Sequence, residues 1–235
     1  MDFFTKSEQE ILLKAKNIIV GFSGGADSTL ALYATNEFLK SHSAANLLTA
    51  IYVDHQAQTS STDWLNHCES FCATHAIKFQ AVQVEINQTG QGFEAAARSA
   101  RQEIFNAYED GTAIILGHHM DDQVETVFFR VLRGTGLKGL TGMQRHLTSK
   151  GKDLIRPLLN ISKDEILKYA AINKLEFIED ESNQDNTYSR NFLRNKVIPR
   201  IMERWPGAKK NTARMANLLS KQSALYHKYL SEKLE

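Results

Sequence analysis

The sequence comprises 235 residues, of which 42% are hydrophobic, and it carries a formal net charge of +1. A chain of this length buries roughly 70% of its unfolded surface in one domain, so we expect one large domain with an appendage. Because no apolar run approaches the ~20 residues of a membrane span, and the N-terminus lacks the basic start and apolar core of a signal peptide, we expect a cytoplasmic protein that does not associate with membranes.

Apolar runs of strand length alternate with helical stretches in the first half of the chain. The predicted strands are Ile18–Phe22, Leu47–Val53, Phe79–Val84 and Ala113–Leu116. The predicted helices between them are Thr29–Lys40, Thr62–Ala76 and Phe93–Tyr108. Short runs that are apolar on both faces and separated by helices predict a doubly wound α/β fold, in which helices cover both faces of a mainly parallel sheet. Ligands bind beyond the carboxyl ends of the strands in such sheets, so the loops after these strands are the candidate functional loops.

The loop after the first strand leads directly into a helix and consists of Ser23, Gly24, Gly25, Ala26, Asp27 and Ser28. Paired glycines before a helix present backbone N–H groups at the positive end of the helix dipole, which is a phosphate-binding arrangement. The lysine of a Walker loop and the glycine spacing of a dinucleotide loop are missing. The loop would therefore bind phosphate through N–H groups and serine hydroxyls, with Asp27 as a Mg²⁺ ligand. The alternative is an ordinary strand-to-helix turn capped by Asp27 or Ser28.

The chain has two cysteines, Cys68 and Cys72, four positions apart in a predicted helix. This spacing is poor for a disulfide, and two thiolates are too few for a metal or iron–sulfur site. We expect both cysteines to pack as small apolar residues.

The segment after the fourth strand is rich in imidazoles and carboxylates. It contains Gly117, His118, His119, Asp121, Asp122, Glu125 and Thr126. If a helix begins near Met120, Asp122 shares a face with Thr126, and Asp121 shares one with Glu125. One acidic pair can then face the phosphate loop and supply Mg²⁺ ligands or a general base. The alternatives are carboxylates that interact with the helix dipole and a histidine in the core, whereas a zinc site is disfavoured because H-E-x-x-H spacing is missing.

The remaining chain is predicted to be largely helical. A glycine-rich loop with Arg133 and Lys138 is suited to close approach by a polyanion, or is a plain loop with a glycine C-cap. Ser162 and Glu165 form a predicted capping box for a helix to about Asn173, and a helix from Thr187 should break or kink at Pro199. We place the domain edge at Trp205–Gly207, which gives a catalytic domain over residues 1–206 and a linker helix over residues 207–235.

Charge is distributed unevenly along the chain. Residues 1–185 carry 17 basic against 24 acidic residues, whereas residues 186–235 carry 11 basic against 3 acidic residues. A basic segment of this kind is typical of proteins that bind a polyphosphate partner, and the alternative is a solvated helix face. Within it, we expect Arg190 and Arg194 to lie near the mouth of the site, and Lys209, Lys210 and Arg214 to be more remote.

The motifs resemble those of a known enzyme family. The loop at residues 23–28 is similar to the S-G-G-x-D-S loop of the N-type ATP pyrophosphatases, whose fold is Rossmann-like. The pattern G-H-H-x-D-D-Q-x-E-T, the glycine-rich loop, Arg156–Leu159, Asp180–Asn183 and the arginines Arg190 and Arg194 together resemble the catalytic domain of the tRNA(Ile)-lysidine synthetase family, in the expected order over about residues 17–200. This family uses ATP to couple free lysine to carbon-2 of the wobble cytidine in a CAU anticodon.

The resemblance implies a set of site residues. ATP would be bound by Ser23, Gly24, Gly25, Ala26, Asp27, Ser28, Arg98, Gly117 and His118, with Arg101 nearby. Mg²⁺ would be held by Asp27 together with Asp122 or Asp121. His119, Asp121, Asp122 and Glu125 would line the reaction centre, where the general base stays unranked. Arg133, Arg190, Asn191 and Arg194 would contact tRNA. Implied partners are tRNA and free L-lysine, and the sequence leaves a homodimer open.

The chain departs from the family pattern in three places. Val53-Asp54-His55 is followed by Gln56-Ala57-Gln58 where the family has G-L-R, and Glu181 stands where proline is usual. Many family members have further C-terminal domains, whereas this chain stops where a linker helix would end, so we expect either a naturally short or a truncated form.

Two other enzyme classes and one non-enzymatic function are alternatives. Related enzymes that adenylate a base and then add sulfur need reactive thiols, commonly as a C-x-x-C pair. Cys68 and Cys72 do not form such a pair, because three residues separate them. A synthetase that forms an amide on a small metabolite would not need the basic tail. An inactive RNA-binding fragment would not need the intact loop and the acidic cluster.

Overall fold

The computed structural model describes residues 2–54, 61–84, 93–180 and 184–234. The motif residues 55–58 and 181–183 therefore lie outside the described residues. The chain forms two compact units that alternate along the sequence. The first contains Met1–Gly117, His146–Pro157 and Asp164–Glu179, and the second contains His118–Arg145, Leu158–Lys163 and Asp180–Glu235. The domain edge placed at Trp205–Gly207 stays a prediction.

The first unit contains a six-stranded sheet with the order β3-β2-β1-β4-β6-β5. Its strands are β1 (Asn17–Gly21), β2 (Leu48–Asp54), β3 (Lys78–Gln83), β4 (Thr112–Ile115), β5 (His146–Ser149) and β6 (Lys152–Ile155). All neighbours pair in parallel except β5 with β6, which form an antiparallel hairpin. The chain builds β2 and β3 on one side of β1 and then returns to place β4 on the other side. The strand order thus reverses between β1 and β4, where α/β folds bind their ligands.

Helices cover both faces of this sheet. Those that pack on the strands are α2 (Ala26–Ser41), α3 (Ser61–Thr74) and α4 (Phe93–Asn106), and the unit also contains α1 (Lys6–Lys14) and most of α7 (Lys163–Ile172). On one face, Ile19, Ile51 and Ile114 pack with Phe105 of α4. Side chains alternate along a strand, so Ile18 and Val20 point to the other face, where α2 packs against β1. The doubly wound α/β prediction is confirmed.

The second unit is helical. It contains α5 (Met120–Leu132), α6 (Leu137–Leu140), α8 (Ser189–Phe192), α9 (Ile198–Arg204) and α10 (Ala208–Leu234). A π-helical turn over Leu193–Val197 joins α8 to α9, and Pro199 lies in the first turn of α9. The break predicted at Pro199 is not found at that residue: the irregularity is this π-helical turn just before it, and α9 continues through Pro199 to Arg204. None of the helices in the described part of the chain is long and apolar enough to cross a membrane.

Candidate active site

The loop after β1 holds itself in shape with its own serines. The Ser28 hydroxyl accepts a hydrogen bond from the Ser23 backbone N–H at 3.1 Å and donates one to the Gly25 carbonyl at 3.0 Å. The two serine Oγ atoms lie 3.2 Å apart. Gly25 is the N-cap residue of α2, and it has no side chain with which to cap the helix. The first N–H groups of α2 therefore keep the arrangement that binds anions.

Two glycines allow the close packing around this loop. Gly24 has a φ of +77°, and a Cβ there would lie 3.0 Å from Cys68 Sγ. A Cβ on Gly117, which follows β4, would lie 2.9 Å from the Asp27 carbonyl and from the Ser28 backbone nitrogen. The end of β4 thus contacts the start of α2. Larger residues at either position would fill the loop's surroundings.

His67 is a residue beside the loop that sequence analysis missed. Its ring Cδ2 lies 3.5 Å from the position that a Gly24 Cβ would occupy. Its Nε2 is buried and has no hydrogen-bond partner among the residues that the structure describes. An unpaired buried nitrogen costs about 1–3 kcal/mol, which a phosphate oxygen at the loop would relieve. The serines, the glycines and this nitrogen together fit a phosphate group.

Three arginines of the first unit share one electrostatic environment. Burial, followed by the charge of Arg98, lowers the pKa of Arg101 and lowers that of Arg156 to about 10. Three neighbouring guanidinium groups produce a positive potential that favours a polyanion. The resemblance pointed to Arg98 and Arg101, whereas the electrostatic role of Arg156 was missed because Arg98, the charge that acts on it, lies 58 positions away in the sequence.

In the second unit, His119 and Asp122 cap α5, which begins at Met120 as predicted. His119 Nδ1 accepts a hydrogen bond from the Asp121 N–H at 3.2 Å, and the Asp122 Oδ2 accepts one from the His119 N–H at 3.1 Å. His119 Nε2 lies 3.5 Å from the same Asp122 oxygen. Both ring nitrogens of His119 therefore take part in ordering the start of the helix.

Arg190 and Arg194 bind Glu125 and Asp122. Glu125, whose side chain is 1% exposed, accepts hydrogen bonds from Arg190 Nε at 2.9 Å and from Arg194 Nε at 2.6 Å. Asp122 Oδ1 lies 3.3 Å from Arg190 Nη2 and 3.4 Å from Arg194 Nη2. Burial tends to raise the pKa of Asp122, but the charges of His119, Arg190 and His118 outweigh it and hold the pKa below its ordinary value. We call these four residues, Asp122, Glu125, Arg190 and Arg194, the arginine–carboxylate network.

The network differs from the predicted helix faces. The sequence paired Asp121 with Glu125, but the structure pairs Asp122 with Glu125 through the two arginines. The i, i+3 spacing brings these carboxylates close enough to share both guanidinium groups.

Asp121 has other partners, the backbone N–H of Lys163 at 3.2 Å and the ammonium of Lys209 at 3.0 Å. The prediction that Lys209 is remote from the acidic cluster is therefore wrong. Separation along the chain suggested a remote position, but α10 packs against α5 and brings the ammonium to Asp121.

The other two residues predicted to contact tRNA, Arg133 and Asn191, have different neighbours. Arg133 is exposed and its guanidinium carbon lies 5.1 Å from the centre of the Phe129 ring. The Asn191 side chain donates a hydrogen bond to the Asp185 carbonyl at 2.9 Å. Arg130, which sequence analysis passed over, donates to the carbonyls of Gly139 and Gly142 and so orders the glycine-rich loop.

The sequence profile of the PP-loop domain family matches residues 2–201. The chain belongs to the PP-loop family. It is 41% identical over 206 residues to a tRNA(Ile)-lysidine synthase of Legionella pneumophila (strain Paris), an alignment that covers 87% of this chain and 47% of that protein. It is 38% identical over 224 residues to a tRNA(Ile)-lysidine synthase of Escherichia coli O157:H7, which covers 95% of this chain and 52% of that protein.

This PP-loop protein therefore spans about half the length of the curated relatives it matches. Among solved structures it is similar to the U34-tRNA thiolase NcsA from Methanococcus maripaludis, which was determined with its 4Fe-4S cluster. The TM-score is 0.70 at 21% sequence identity, with 92% of this chain and 78% of that chain covered. At this identity the likeness concerns the fold.

Both cysteines of the PP-loop protein are buried, as expected from the sequence. Burial raises the pKa of Cys68 and of Cys72 to about 12, so neither thiol ionises near neutral pH. Sulfur transfer through a thiolate of this chain is therefore disfavoured.

Proposed function

We propose that this protein uses ATP to attach free L-lysine to carbon-2 of the wobble cytidine in a CAU-anticodon isoleucine tRNA. The reaction would proceed through an adenylated cytidine and yield lysidine, AMP and pyrophosphate, which makes the protein a ligase that forms a carbon–nitrogen bond. The observation that carries the proposal is the 41% identity to a tRNA(Ile)-lysidine synthase over 206 residues. The match to the PP-loop family over residues 2–201, which include the phosphate loop and the acidic helix α5, supports it. The inert cysteines favour an amine over sulfur as the nucleophile.

The first step would take place at the phosphate loop. Oxygen-2 of cytidine is a poor leaving group, so it would first attack the α-phosphate of ATP and release pyrophosphate. The serines of the loop and the N–H groups of α2 would stabilise charge on the departing pyrophosphate. Arg98, Arg101 and Arg156 add positive potential within the same unit.

Mg²⁺ would neutralise polyphosphate charge when bound. Asp27 fits this role, because its half-buried carboxylate lies in the first turn of α2 beside the loop and Mg²⁺ is commonly held by one or two carboxylates with substrate phosphates. Asp122 has an oxygen donor of the right kind, but a metal there would have to replace a guanidinium partner.

The arginine–carboxylate network would position the cytidine and the amine in the second step, when the amine displaces AMP. Glu125 is held on both oxygens by guanidinium groups, so we assign it to orienting Arg190 and Arg194 and not to proton transfer. His119 is engaged as the helix cap and is assigned to ordering α5.

Incubation with ATP, lysine and a CAU-anticodon tRNA tests the proposal. We expect AMP and pyrophosphate to form in step with lysine attachment, and sulfur donors to have no effect. Formation of ADP, or product formation that requires a sulfur donor, would rule the proposal out. Cytoplasmic location and a homodimer stay predictions.

A further inference from the structure

Gln123 of α5 binds the end of the glycine-rich loop, which comprises residues 133–143. Its side chain belongs to the second unit and is buried. The amide Nε2 donates a hydrogen bond to the Met143 carbonyl at 3.0 Å, and the amide Oε1 accepts one from the Met143 backbone N–H at 2.7 Å. One side-chain amide thus satisfies both backbone groups of one residue, which requires a donor and an acceptor side by side.

The second half of the loop is held on α5 at a further point. Arg130 Nη1 donates to the carbonyls of Gly139 and Gly142 at 3.1 Å and 2.9 Å, and it lies two helical turns beyond Gln123. Gly142 has a φ of +61°, and a Cβ there would lie 2.6 Å from Gln123 Oε1. The loop therefore has a glycine where the amide needs close approach to the backbone.

The first half of the loop is exposed and basic. The side chains of Arg133 and Lys138 are exposed, and no atom of the described residues lies within 4 Å of the position that a Gly134 Cβ would occupy. The Thr141 hydroxyl donates to the Lys138 carbonyl at 2.8 Å, so the backbone at Lys138 is bound to the half of the loop that α5 holds. Exposed cations on an ordered backbone are suited to the phosphates of a polyanion.

We propose that Gln123 is a positioning residue for tRNA, which holds the loop at Met143 and thereby fixes Lys138 where a tRNA phosphate binds. The inference rests on the proposed function, because it takes tRNA as the polyanion. An ordered loop loses less conformational entropy on binding than a free loop, so the two hydrogen bonds at Met143 strengthen tRNA binding without contact between Gln123 and RNA. If the loop leaves α5 in part of the population, the apparent affinity for tRNA falls in proportion.

Limited digestion with trypsin tests whether Gln123 holds the loop, because trypsin cleaves after Arg133 and Lys138. Gln123→Glu keeps the size of the side chain but places a carboxylate oxygen against the Met143 carbonyl, and Gln123→Met removes both hydrogen bonds. Both variants should be cleaved in the loop roughly tenfold faster than the wild type, as expected for the loss of one or two hydrogen bonds. Cleavage after Lys150, which is exposed in the first unit, is the internal reference and should keep its rate.

Binding of a CAU-anticodon tRNA tests whether the held loop serves RNA. Gln123→Met should raise the Kd and the KM for tRNA roughly tenfold, while kcat at saturating tRNA and the KM for ATP stay within about twofold of the wild type. Gln102→Met is the matched control, because Gln102 is an exposed glutamine of α4 in the first unit. The control should leave all of these constants unchanged.

A double-mutant cycle with Lys138→Ala tests whether Gln123 acts through this lysine. In the otherwise wild-type chain, Lys138→Ala should weaken tRNA binding and reduce the slope of log affinity against log salt by about 0.7 to 0.9. In the Gln123→Met background the same change should have little further effect, because the lysine is no longer held in place. Additive effects of the two changes would overturn the proposal.

A purely structural role of Gln123 gives a different set of results. Faster cleavage after Lys150 in proportion to the loop, or a parallel loss of kcat, ATP affinity and tRNA affinity, would show this role and overturn the proposal. If the wild type attaches no lysine but the cycle on tRNA binding is non-additive, the positioning role stands and the proposed function fails. If the wild type attaches lysine with a tRNA affinity that is indifferent to positions 123 and 138, the function stands and the positioning role fails.

Discussion

Asp121, Asp122 and Glu125 lie within five residues of one helix, yet each carboxylate has a different electrostatic environment. Glu125 is buried between two guanidinium groups, Asp122 is held by the same groups and by His119, and Asp121 faces an ammonium. Removing one partner from a buried ion pair costs about 3–5 kcal/mol, because the other charge is left without compensation. The carboxylate–arginine pairs are therefore interdependent, and substitutions there should affect stability as well as activity.

Asp27 differs from these residues because it lies half-buried in the first turn of α2 beside the phosphate loop. Asp27→Ala should abolish pyrophosphate release and shift the Tm by no more than a few degrees, because the carboxylate would serve the polyphosphate and its metal. Asp63→Ala is the matched control, since Asp63 is an exposed acid in the first turn of α3. Near-normal pyrophosphate release by the Asp27 variant would contradict this assignment.

The network also predicts how stability depends on pH. The folded-state pKa of Asp122 is lowered, so its carboxylate adds stability above the unfolded pKa of about 3.9, and this contribution disappears as the pH falls through the folded pKa. Arg190→Ala removes one of the charges that lower this pKa. Because the unfolded-state pKa is unchanged, the stability lost on acidification should then be smaller than in the wild type, as measured by Tm from about pH 6 to pH 3.

The control for this experiment is Arg200→Ala, which removes an exposed arginine from α9. Its curve of Tm against pH should parallel that of the wild type. Parallel curves for Arg190→Ala as well would mean that Arg190 does not set the titration of Asp122.

Among the elements, the contact between the end of β4 and the start of α2 is a tight constraint on the loop. Gly117→Ala would place a methyl carbon 2.9 Å from the Asp27 carbonyl and the Ser28 nitrogen, both of which are backbone atoms that have little room to move. We expect ATP affinity to fall at least tenfold. Gly136→Ala is the control, because no atom of the described residues lies within 4 Å of a Cβ there and its φ is −84°. Equal ATP affinity in both variants would show that the loop tolerates the displacement.

The elements also show what could be read from the sequence. The first four strands were predicted to within about a residue, because buried parallel strands are short apolar runs. The β5–β6 hairpin was missed, since its strands are polar and its turn depends on positive φ at Lys150 and Gly151. Helix α1 was also missed, although Thr5 and Glu8 form a capping box that is visible in the sequence.

The parts of the candidate site that are local in sequence were predicted, whereas the contacts between distant residues were not. The loop at residues 23–28 and the helix from Met120 are local motifs, so spacing along the chain reveals them. The partners of Glu125 lie 65 and 69 positions away, and Lys209 lies 88 positions from Asp121, so periodicity carries no information about them. Long-range ion pairs of this kind require the folded chain.

At the scale of the whole molecule, positive charge is concentrated at the carboxyl end of the chain. Lys210 and Arg214 are exposed on α10, and we expect them to bind tRNA phosphates. The double change to alanine should weaken tRNA binding and reduce the slope of log affinity against log salt by about 0.7 to 0.9 for each phosphate that is no longer bound. The measurement is a salt series of tRNA Kd values. An unaltered slope would favour the solvated helix face over a tRNA-binding surface.

The strand order carries a consequence for synthesis on the ribosome. β4 pairs with β1 on one side and with β6 on the other, but β6 is made about 40 residues later, after α5 and α6. At 5–20 residues per second, the outer edge of β4 waits about 2–8 seconds for its partner. An unpaired edge can template wrong pairing with another chain, so the edge of β4 is open to such pairing in this interval. Slower codons between residues 116 and 152 would lengthen the time for which the edge of β4 is unpaired. A chaperone that covers this edge would reduce wrong pairing during that time.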